Sequence, residues 1–242
     1  LSTTASNIYL IDGSEALLSP MSKASQEDTL EALTKLGVVV KLNSRVVDYV
    51  DDTVYMSNGE SIQTKNLIWA AGVSAKAFEG IPAESYGRGK RMATDAFNKI
   101  NGTENIYAIG DTCIQLTDEN FPEGHPQVAQ VAIQQGINLA KNFKAINKNS
   151  SLVPFKYHDK GTMAIIGKKK AVVDLPKPNW HFNGFLAWMI WLFVHLVSLI
   201  TYRNRLQTFY NWTIAYFSKD QSLRMIIRPD SKQSLTDKEN LC

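Results

Sequence analysis

The sequence predicts an α/β fold that gives way to a small antiparallel sheet and ends in aromatic helices. Three observations carry this expectation. Over residues 1–72, short β-branched runs alternate with one helical segment. Farther on, an apolar run closed by Gly110-Asp111 precedes a long amphipathic stretch. The last third switches to three short strand-like runs, then to a nearly continuous apolar segment, Phe185 to Thr201.

The elements follow in order. Ile8–Ile11 is a short apolar run and reads as a buried strand that stops at Asp12-Gly13. Ser22 to Leu36 reads as a helix, with Leu30, Leu33 and Leu36 at helical spacing and Gly37 as its stop. Val38–Leu42 is a second strand. Val46–Val50, Thr53–Met56 and Ser61–Thr64 form a ribbon around the Asn58-Gly59 turn signal. Asn66–Ala71 is expected to be another buried strand, closed by Gly72. Strand, helix, strand, ribbon, strand is the latter part of a Rossmann-like dinucleotide-binding domain.

A loop-rich stretch with Gly80, Pro82, Gly87 and Gly89 leads to an expected strand over Asn105–Asp111. Pro126 is expected to open a long helix reaching about Ile146, since proline is favoured at the first helical position. Phe155–Tyr157, Thr162–Ile166 and Lys170–Leu175 read as a small antiparallel sheet, with turns at Lys160-Gly161 and Gly167-Lys168. Pro176 and Pro178 interrupt the pattern. The tail from Asp230 to Cys242 reads as polar and frayed. The expected domains are residues 1–72, 73–150 and 151–242.

Composition narrows the function classes. The 242 residues are 44% hydrophobic and 20% charged, the balance of a folded protein. The formal charge of +3 is too mild to indicate nucleic acid. Two cysteines, Cys113 and Cys242, make neither a disulfide framework nor a cysteine zinc site, and no H-x-x-x-H spacing occurs, so no metal is expected. Cys113, without a C-x-x-C neighbour, reads as a small buried residue. The chain opens on Leu1, and Ile8–Ile11 is too short and too poor in basic flanks for a signal peptide.

Charge is uneven. Residues 1–150 carry 13 basic and 17 acidic side chains, whereas residues 151–242 carry 13 basic and 6 acidic ones together with four of the five tryptophans. Basic residues beside aromatics suit an anionic lipid surface, or else form a solvated basic face. Phe185–Thr201 sits near the lower limit for a spanning helix and contains His195, with Arg203 and Arg205 following. Two aromatic helices lying in the membrane interface fit best. A single span, or a core helix with a dimer surface, are the alternatives.

Several residues are chemical candidates. Asp12, at a strand end, can accept hydrogen bonds from a ribose, or can be an ordinary turn aspartate. Ala71 and Gly72 follow the strand containing Trp69; glycine there lets a flat ligand approach, or simply ends a strand. Gly110 permits close approach, and Asp111 can accept from a ribityl hydroxyl. Ala129 and Gln130 lie near the start of the long helix, whose N-terminus stabilises an anion. Gln130 and Gln134 share one helix face, either to hold a quinone carbonyl or as surface amides. Lys160, in its turn, is a charge stabiliser or a solvated lysine.

Taken in order, Leu67-Ile-Trp-Ala-Ala-Gly-Val73, Ile106-Tyr-Ala-Ile-Gly-Asp111, Ala129-Gln-Val-Ala-Ile-Gln134 and Lys160-Gly-Thr-Met-Ala-Ile-Ile-Gly167 resemble the type II NADH dehydrogenases. The likeness runs from Ile8 to Arg228, and the third and fourth motifs discriminate. It implies a partial two-dinucleotide-domain flavoprotein with membrane-binding C-terminal helices. The implied activity is non-proton-pumping NADH:quinone oxidoreduction, a hydride passing from NADH to FAD and two electrons on to a membrane quinone. It places Asp111 at FAD, Gln130 and Gln134 at the flavin–quinone junction, Lys160 near the isoalloxazine, Asp12 at the NADH ribose, and Gly72 on the nicotinamide side. It implies peripheral attachment to the cytoplasmic face of the inner membrane and leaves a homodimer open.

One departure matters. The family carries two G-x-G-x-x-G loops upstream of these motifs, and this sequence has neither; Gly87-Arg-Gly89 lacks the strand–turn–helix setting. The resemblance therefore implies the C-terminal part of such an enzyme, beginning inside the NADH domain and inactive by itself. Two rivals share some features. A sulfide:quinone oxidoreductase needs relay cysteines, and Cys113 is the only internal one. A non-catalytic membrane-docking module would tolerate the missing glycine loops.

Overall fold

A computed structural model describes residues 7–217. Within it, β1 (Ile8–Ile11) pairs in parallel with β2 (Val38–Lys41), in register Ile8 to Val38 through Ile11 to Lys41. The crossover between them is α1 (Lys23–Lys35). Its start is set by Ser22, whose hydroxyl accepts the Ser25 amide at 3.2 Å. Its end is set by Gly37, at φ +81°, donating to the Thr34 carbonyl at 2.9 Å. Sequence reasoning placed both ends.

β3 (Val46–Val50), β4 (Thr53–Met56) and β5 (Ser61–Gln63) form the expected antiparallel ribbon, with Val54 and Met56 buried. The expected strand at 66–71 is absent. That stretch forms no ladder, and Ile68 and Trp69 are 90% and 64% exposed. An apolar run becomes a strand only when another strand satisfies its backbone, and no described strand pairs with it.

β6 (Met92–Thr94) and β7 (Cys113–Gln115) pair in parallel, an element that sequence reading missed. The expected strand at Asn105–Asp111 is reduced to an isolated bridge between Lys99 and Tyr107, and Gly110–Thr112 turns as a short 3-10 segment. Met92, Ile100, Ala108 and Cys113 form a buried cluster there. The long helix α2 (Ala129–Asn147) starts three residues later than expected. Pro126 lies outside it because Val128, in an extended conformation, is the N-cap.

Phe155–Tyr157 is not a strand either. Its backbone is held by non-strand partners: the Phe155 amide donates to the Ala96 carbonyl at 2.7 Å, and the Tyr157 amide to Asp118 at 3.3 Å. The rings of Phe155 and Tyr157 are buried with Val131, each such side chain contributing about 1.5–3 kcal/mol by burial. The antiparallel sheet consists of β8 (Thr162–Gly167), β9 (Lys170–Leu175) and an unanticipated third strand, β10 (Trp180–Asn183), in the order β10-β9-β8. β9 is central, and Ala171, Val172 and Val173 are wholly buried. α1 packs against all three strands of this sheet.

Two units are distinguishable, one ending at Trp188 and one starting at Met189. α3 (Gly184–Ser198) is almost entirely apolar, and α4 (Tyr202–Phe217) is mixed. α3 is about 22 Å long at 1.5 Å per residue. No described helix is long and apolar enough to cross a membrane. In the second unit, Trp191 stacks on His195 at 3.7 Å, and Arg205 Nε donates to the Leu199 carbonyl at 2.8 Å. The expectations for Asp230–Cys242, and the end of the resemblance at Arg228, lie outside the described residues.

Candidate functional site

α2 organises one group of candidates. Gln130 and Gln134, four residues apart, point the same way and grip one extended segment. Gln130 Nε2 donates to the Gly161 carbonyl at 3.0 Å, and its Oε1 accepts the Lys160 amide at 3.1 Å. Gln134 Nε2 donates to the His158 carbonyl at 2.9 Å, and its Oε1 accepts the His158 amide at 3.0 Å. Each side-chain amide thus pairs with backbone as a strand would, and residues 158–161 need no sheet neighbour. The Lys160 side chain remains exposed beside this seam.

The opposite side of the same helix holds the Gly110-Asp111 turn. Ala132 and Gly136 are small enough for Ile109 and Gly110 to approach; a Cβ on Gly110 would lie 3.1 Å from the Ala132 Cβ. Gly110 has φ +68°, which favours glycine. Its amide donates to Gln135 Oε1 at 2.6 Å, and Gln127 Nε2 donates to the Asp111 carbonyl at 3.3 Å. The Asp111 carboxylate is exposed. No side chain caps the start of α2, so the first amides, at Ala129 and Gln130, stay available to an anion near this turn.

Gln135 was missed by sequence reading. The signal was present as a second glutamine directly after Gln134, turned roughly 100° around the helix and therefore onto another face. Asp118 and His125 were missed as well. His125 Nε2 and Asp118 Oδ2 are 3.0 Å apart, both nearly fully buried, against the rings of Phe121, Phe155 and Tyr157. Burial would raise the Asp118 carboxyl, but bonds from His125, Asn120 and Tyr157 outweigh it and hold it below the ordinary aspartate value. Burial also raises the Cys113 thiol, against weaker opposing bonds from Gln135 and the Arg91 charge. A buried thiol raised in this way is a poor nucleophile, in keeping with its expected structural role.

The second group lies around a groove of about 1430 Å³ lined by β1, Asp12, Gly13 and residues 66–71. Asp12 sits at the end of β1, its Oδ1 accepting the Ser14 amide at 2.8 Å and its carbonyl the Ser44 amide at 3.0 Å. That is the turn geometry of a strand end, and it leaves Oδ2 of the carboxylate available. Ala71 lines the same groove, and exposed Gly72 follows it at φ +96°, with open space around its α-carbon. The structure thus brings Gly110, Asp111, Ala129, Gln130, Gln134 and Lys160 onto α2 and its neighbours. It brings Asp12 and Ala71 onto one groove. No cluster of metal-ligating side chains occurs among the described residues.

Comparison with known proteins adds to this geometry. Residues 1–136 match the family described as pyridine nucleotide-disulphide oxidoreductase, and residues 159–221 match the NDH2 C-terminal domain. A type II NADH:quinone oxidoreductase of Mycobacterium tuberculosis is 30% identical over 229 residues, covering 90% of this chain and 48% of that protein. A second from the same organism is 32% identical over 225 residues, covering 88% and 46%. The chain spans about half the length of the curated relatives it matches. Among solved structures, NDH2 from Plasmodium falciparum in complex with NADH aligns with a TM-score of 0.76 at 19% identity, covering 87% of this chain and 58% of that one. At that identity the likeness speaks for the fold.

Proposed function

The chain belongs to the pyridine nucleotide-disulphide oxidoreductase family, in its type II NADH dehydrogenase branch, and on that premise we propose that it forms the quinone-reducing and membrane-facing part of an FAD-dependent NADH:quinone oxidoreductase. The observation that carries the reading is the seam in which Gln130 and Gln134 hold residues 158–161 on one side of α2 while Gln135 holds Gly110-Asp111 on another. One helix thereby sets the spacing between a flavin-type turn and a quinone-type edge.

The residues fit FAD. Gly110 lets the turn pack directly on Ala132 of α2, where a Cβ would crowd, and so sets Asp111 beside the uncapped start of that helix. A flavin bound there supplies the two-electron relay between nicotinamide and quinone. Asp111 accepts a hydrogen bond from a ribityl hydroxyl. The Ala129 and Gln130 amides, at the positive end of the helix, favour the negative charge that accompanies reduction. Asp12 accepts from the hydroxyls of the NADH ribose, and Ala71 and Gly72 line the nicotinamide side. Lys160 brings its ammonium to the quinone edge and stabilises charge there.

The glutamines act by position as well as by contact. Both ends of each side-chain amide are engaged with the 158–161 backbone. Gln130 and Gln134 therefore hold Lys160 in place, and a quinone carbonyl reaches them only by sharing or displacing one of those bonds. The aromatic helices α3 and α4, with Arg203 and Arg205, lie in the surface of an anionic membrane. In this reading residues 1–72 belong to the NADH domain, 73–150 to the FAD domain and 151–242 to the sheet and anchor.

The test is NADH-driven reduction of a water-soluble quinone by the protein expressed from its complete reading frame. The reading expects turnover with FAD bound, lowered by replacing Gln130, Gln134 or Lys160. Bound flavin with sulfide as the working donor would instead place it with the sulfide:quinone oxidoreductases. Absence of flavin would leave a docking module.

A further inference from the structure

His181 on β10 stands between two carboxylates from distant parts of the chain. Its Nε2 is 2.8 Å from Asp28 Oδ2 on α1, and its Nδ1 is 2.9 Å from Asp174 Oδ1 on β9. Asp174 also accepts the Ser22 amide at 2.7 Å, the Ser22 hydroxyl at 2.9 Å and the Ser25 hydroxyl at 2.9 Å. Asn183 Nδ2 donates to Asp28 at 2.8 Å. Every one of these bonds except the one from His181 to Asp174 joins α1 or its cap to the C-terminal sheet or completes that junction.

We propose that His181, Asp28, Asp174 and Ser25 form a proton-operated latch that fastens α1, and with it the half-fold bearing Asp12, to the β8–β10 sheet. The logic is one of donors. A ring with a carboxylate at each nitrogen needs both N–H groups, and only the imidazolium has two. When the proton leaves to solvent, one nitrogen turns a lone pair toward a carboxylate oxygen. Ser25 offers the way out, because its Oγ lies 3.2 Å from His181 Nδ1 as well as 2.9 Å from Asp174. The neutral ring keeps its Nε2–H on Asp28 and accepts the Ser25 hydroxyl at Nδ1. Asp174 then loses the donors from His181 and Ser25 and keeps only those from Ser22. The hold on α1 weakens without breaking: the Nε2–H bond to Asp28 loses its charge assistance, and Ser25 exchanges a carboxylate acceptor for a neutral ring nitrogen.

The charged groups facing the ring are Asp28 from α1 and Asp174 from β9; Ser22, Ser25 and Asn183 contribute neutral donors. Partial burial by itself would lower the pKa of His181, but its bonds to Asp174 and Asp28 and their charges outweigh this and raise it above the ordinary histidine value. For Asp28 and Asp174 burial opposes ionisation and the same bonds outweigh it, so both are lowered. The signs define a window. The histidine contribution is complete below its unfolded pKa of about 6.5 and is lost as pH rises through the raised folded value. The carboxylate contributions are present above about 3.8 and are lost as pH falls through the lowered values. The latch is tightest between these limits and loosens on the alkaline side.

The experiment follows the His181 ring by NMR titration of the full chain, with hydrogen exchange of the α1 amides measured across the same pH range. The expected result is a His181 pKa above 6.5, lowered by about one unit or more in Asp174→Asn. α1 exchange, corrected for its intrinsic pH dependence, should step up about tenfold for each unit by which His181 had been raised. Asp28→Asn, at a more open position, gives the same readouts if Asp174→Asn does not fold. A ring that titrates at or below 6.5, or α1 exchange with no step at the His181 titration, overturns the latch.

Discussion

Gln135 Oε1 accepts the Gly110 amide at 2.6 Å, deep enough that the glutamine side chain is 1% exposed. Its Nε2 meets the Cys113 sulfur at 3.4 Å. A buried amide that loses its acceptor retains the whole cost of leaving water. Gln135→Met keeps the volume and removes the acceptor, so it should destabilise the chain by about 1–3 kcal/mol. Urea unfolding with an unchanged slope and a lowered midpoint is the expected observation. An unchanged midpoint would show that Gly110 finds another acceptor.

Gly161 presents a harder constraint. At φ +103°, a Cβ would lie 2.5 Å from the Asp174 carbonyl oxygen and 3.1 Å from Leu175 Cδ2. Both the conformation and the space forbid a side chain, and the obstacle is backbone at the centre of the sheet. Gly161→Ala should cost about 1–3 kcal/mol and lower the melting temperature by several degrees. It also moves the carbonyl that Gln130 holds, so quinone reduction should fall further than stability alone explains. Equal melting temperatures for the two proteins would refute the close approach.

If the proposed function holds, the seam separates two half-reactions. Gln130→Ala and Gln134→Ala each release part of the 158–161 backbone that carries Lys160. Each should raise the KM for quinone about tenfold, a loss of about 1.4 kcal/mol, comparable to one hydrogen bond. Reduction of a small one-electron acceptor such as ferricyanide should be nearly unaffected, since it does not need the quinone edge. The double variant should be less than additive, because both residues hold the same segment. Equal losses with both acceptors would move the glutamines from the quinone side to the flavin.

Acid should loosen the core beneath this seam. Asp118 is held below the ordinary carboxylate value, so its contribution is present above about 3.8 and disappears as pH falls through the lowered value. Protonation weakens the bonds to His125 and the Tyr157 amide together. Circular dichroism in the near ultraviolet should report loss of the Phe155–Tyr157 environment below about pH 4. In Asp118→Asn that acid step should be absent or smaller, with lower stability at neutral pH. An acid transition identical in both proteins would assign it to other carboxylates.

Elements bounded by local chemistry were legible from the sequence, and those completed by distant partners were not. Ser22 and Gly37 mark both ends of α1, and Lys170–Leu175 is β9 in full. Asn66–Ala71 has the composition of a strand, yet no described strand pairs with it. Pro126 suits a helix start, but Val128 remains extended and delays α2. At the site, the four-residue spacing of Gln130 and Gln134 correctly implied a shared face. What they hold lies 24 to 31 residues away, and no local pattern announces a backbone partner. His181 and Asp28, 153 residues apart, are farther still from any sequence signal.

The terminal helices make the last prediction. Phe193 is 67% exposed on α3, Phe209 is exposed on α4, and Ile200 stands at the turn between the helices beside Tyr202, Arg203 and Arg205. An exposed apolar side chain gains about 1.5–3 kcal/mol on leaving water, and arginines add attraction to anionic headgroups. The chain should therefore co-sediment with vesicles containing phosphatidylserine, and more weakly as salt rises. Phe193→Glu together with Phe209→Glu should reduce the bound fraction at least tenfold, because two such losses exceed the roughly 1.4 kcal/mol that a factor of ten requires. Arg203→Gln with Arg205→Gln should remove most of the salt dependence and leave binding to neutral vesicles in place. If the glutamate pair binds as well as the parent, these helices bury their apolar faces against protein, and the anchor lies elsewhere.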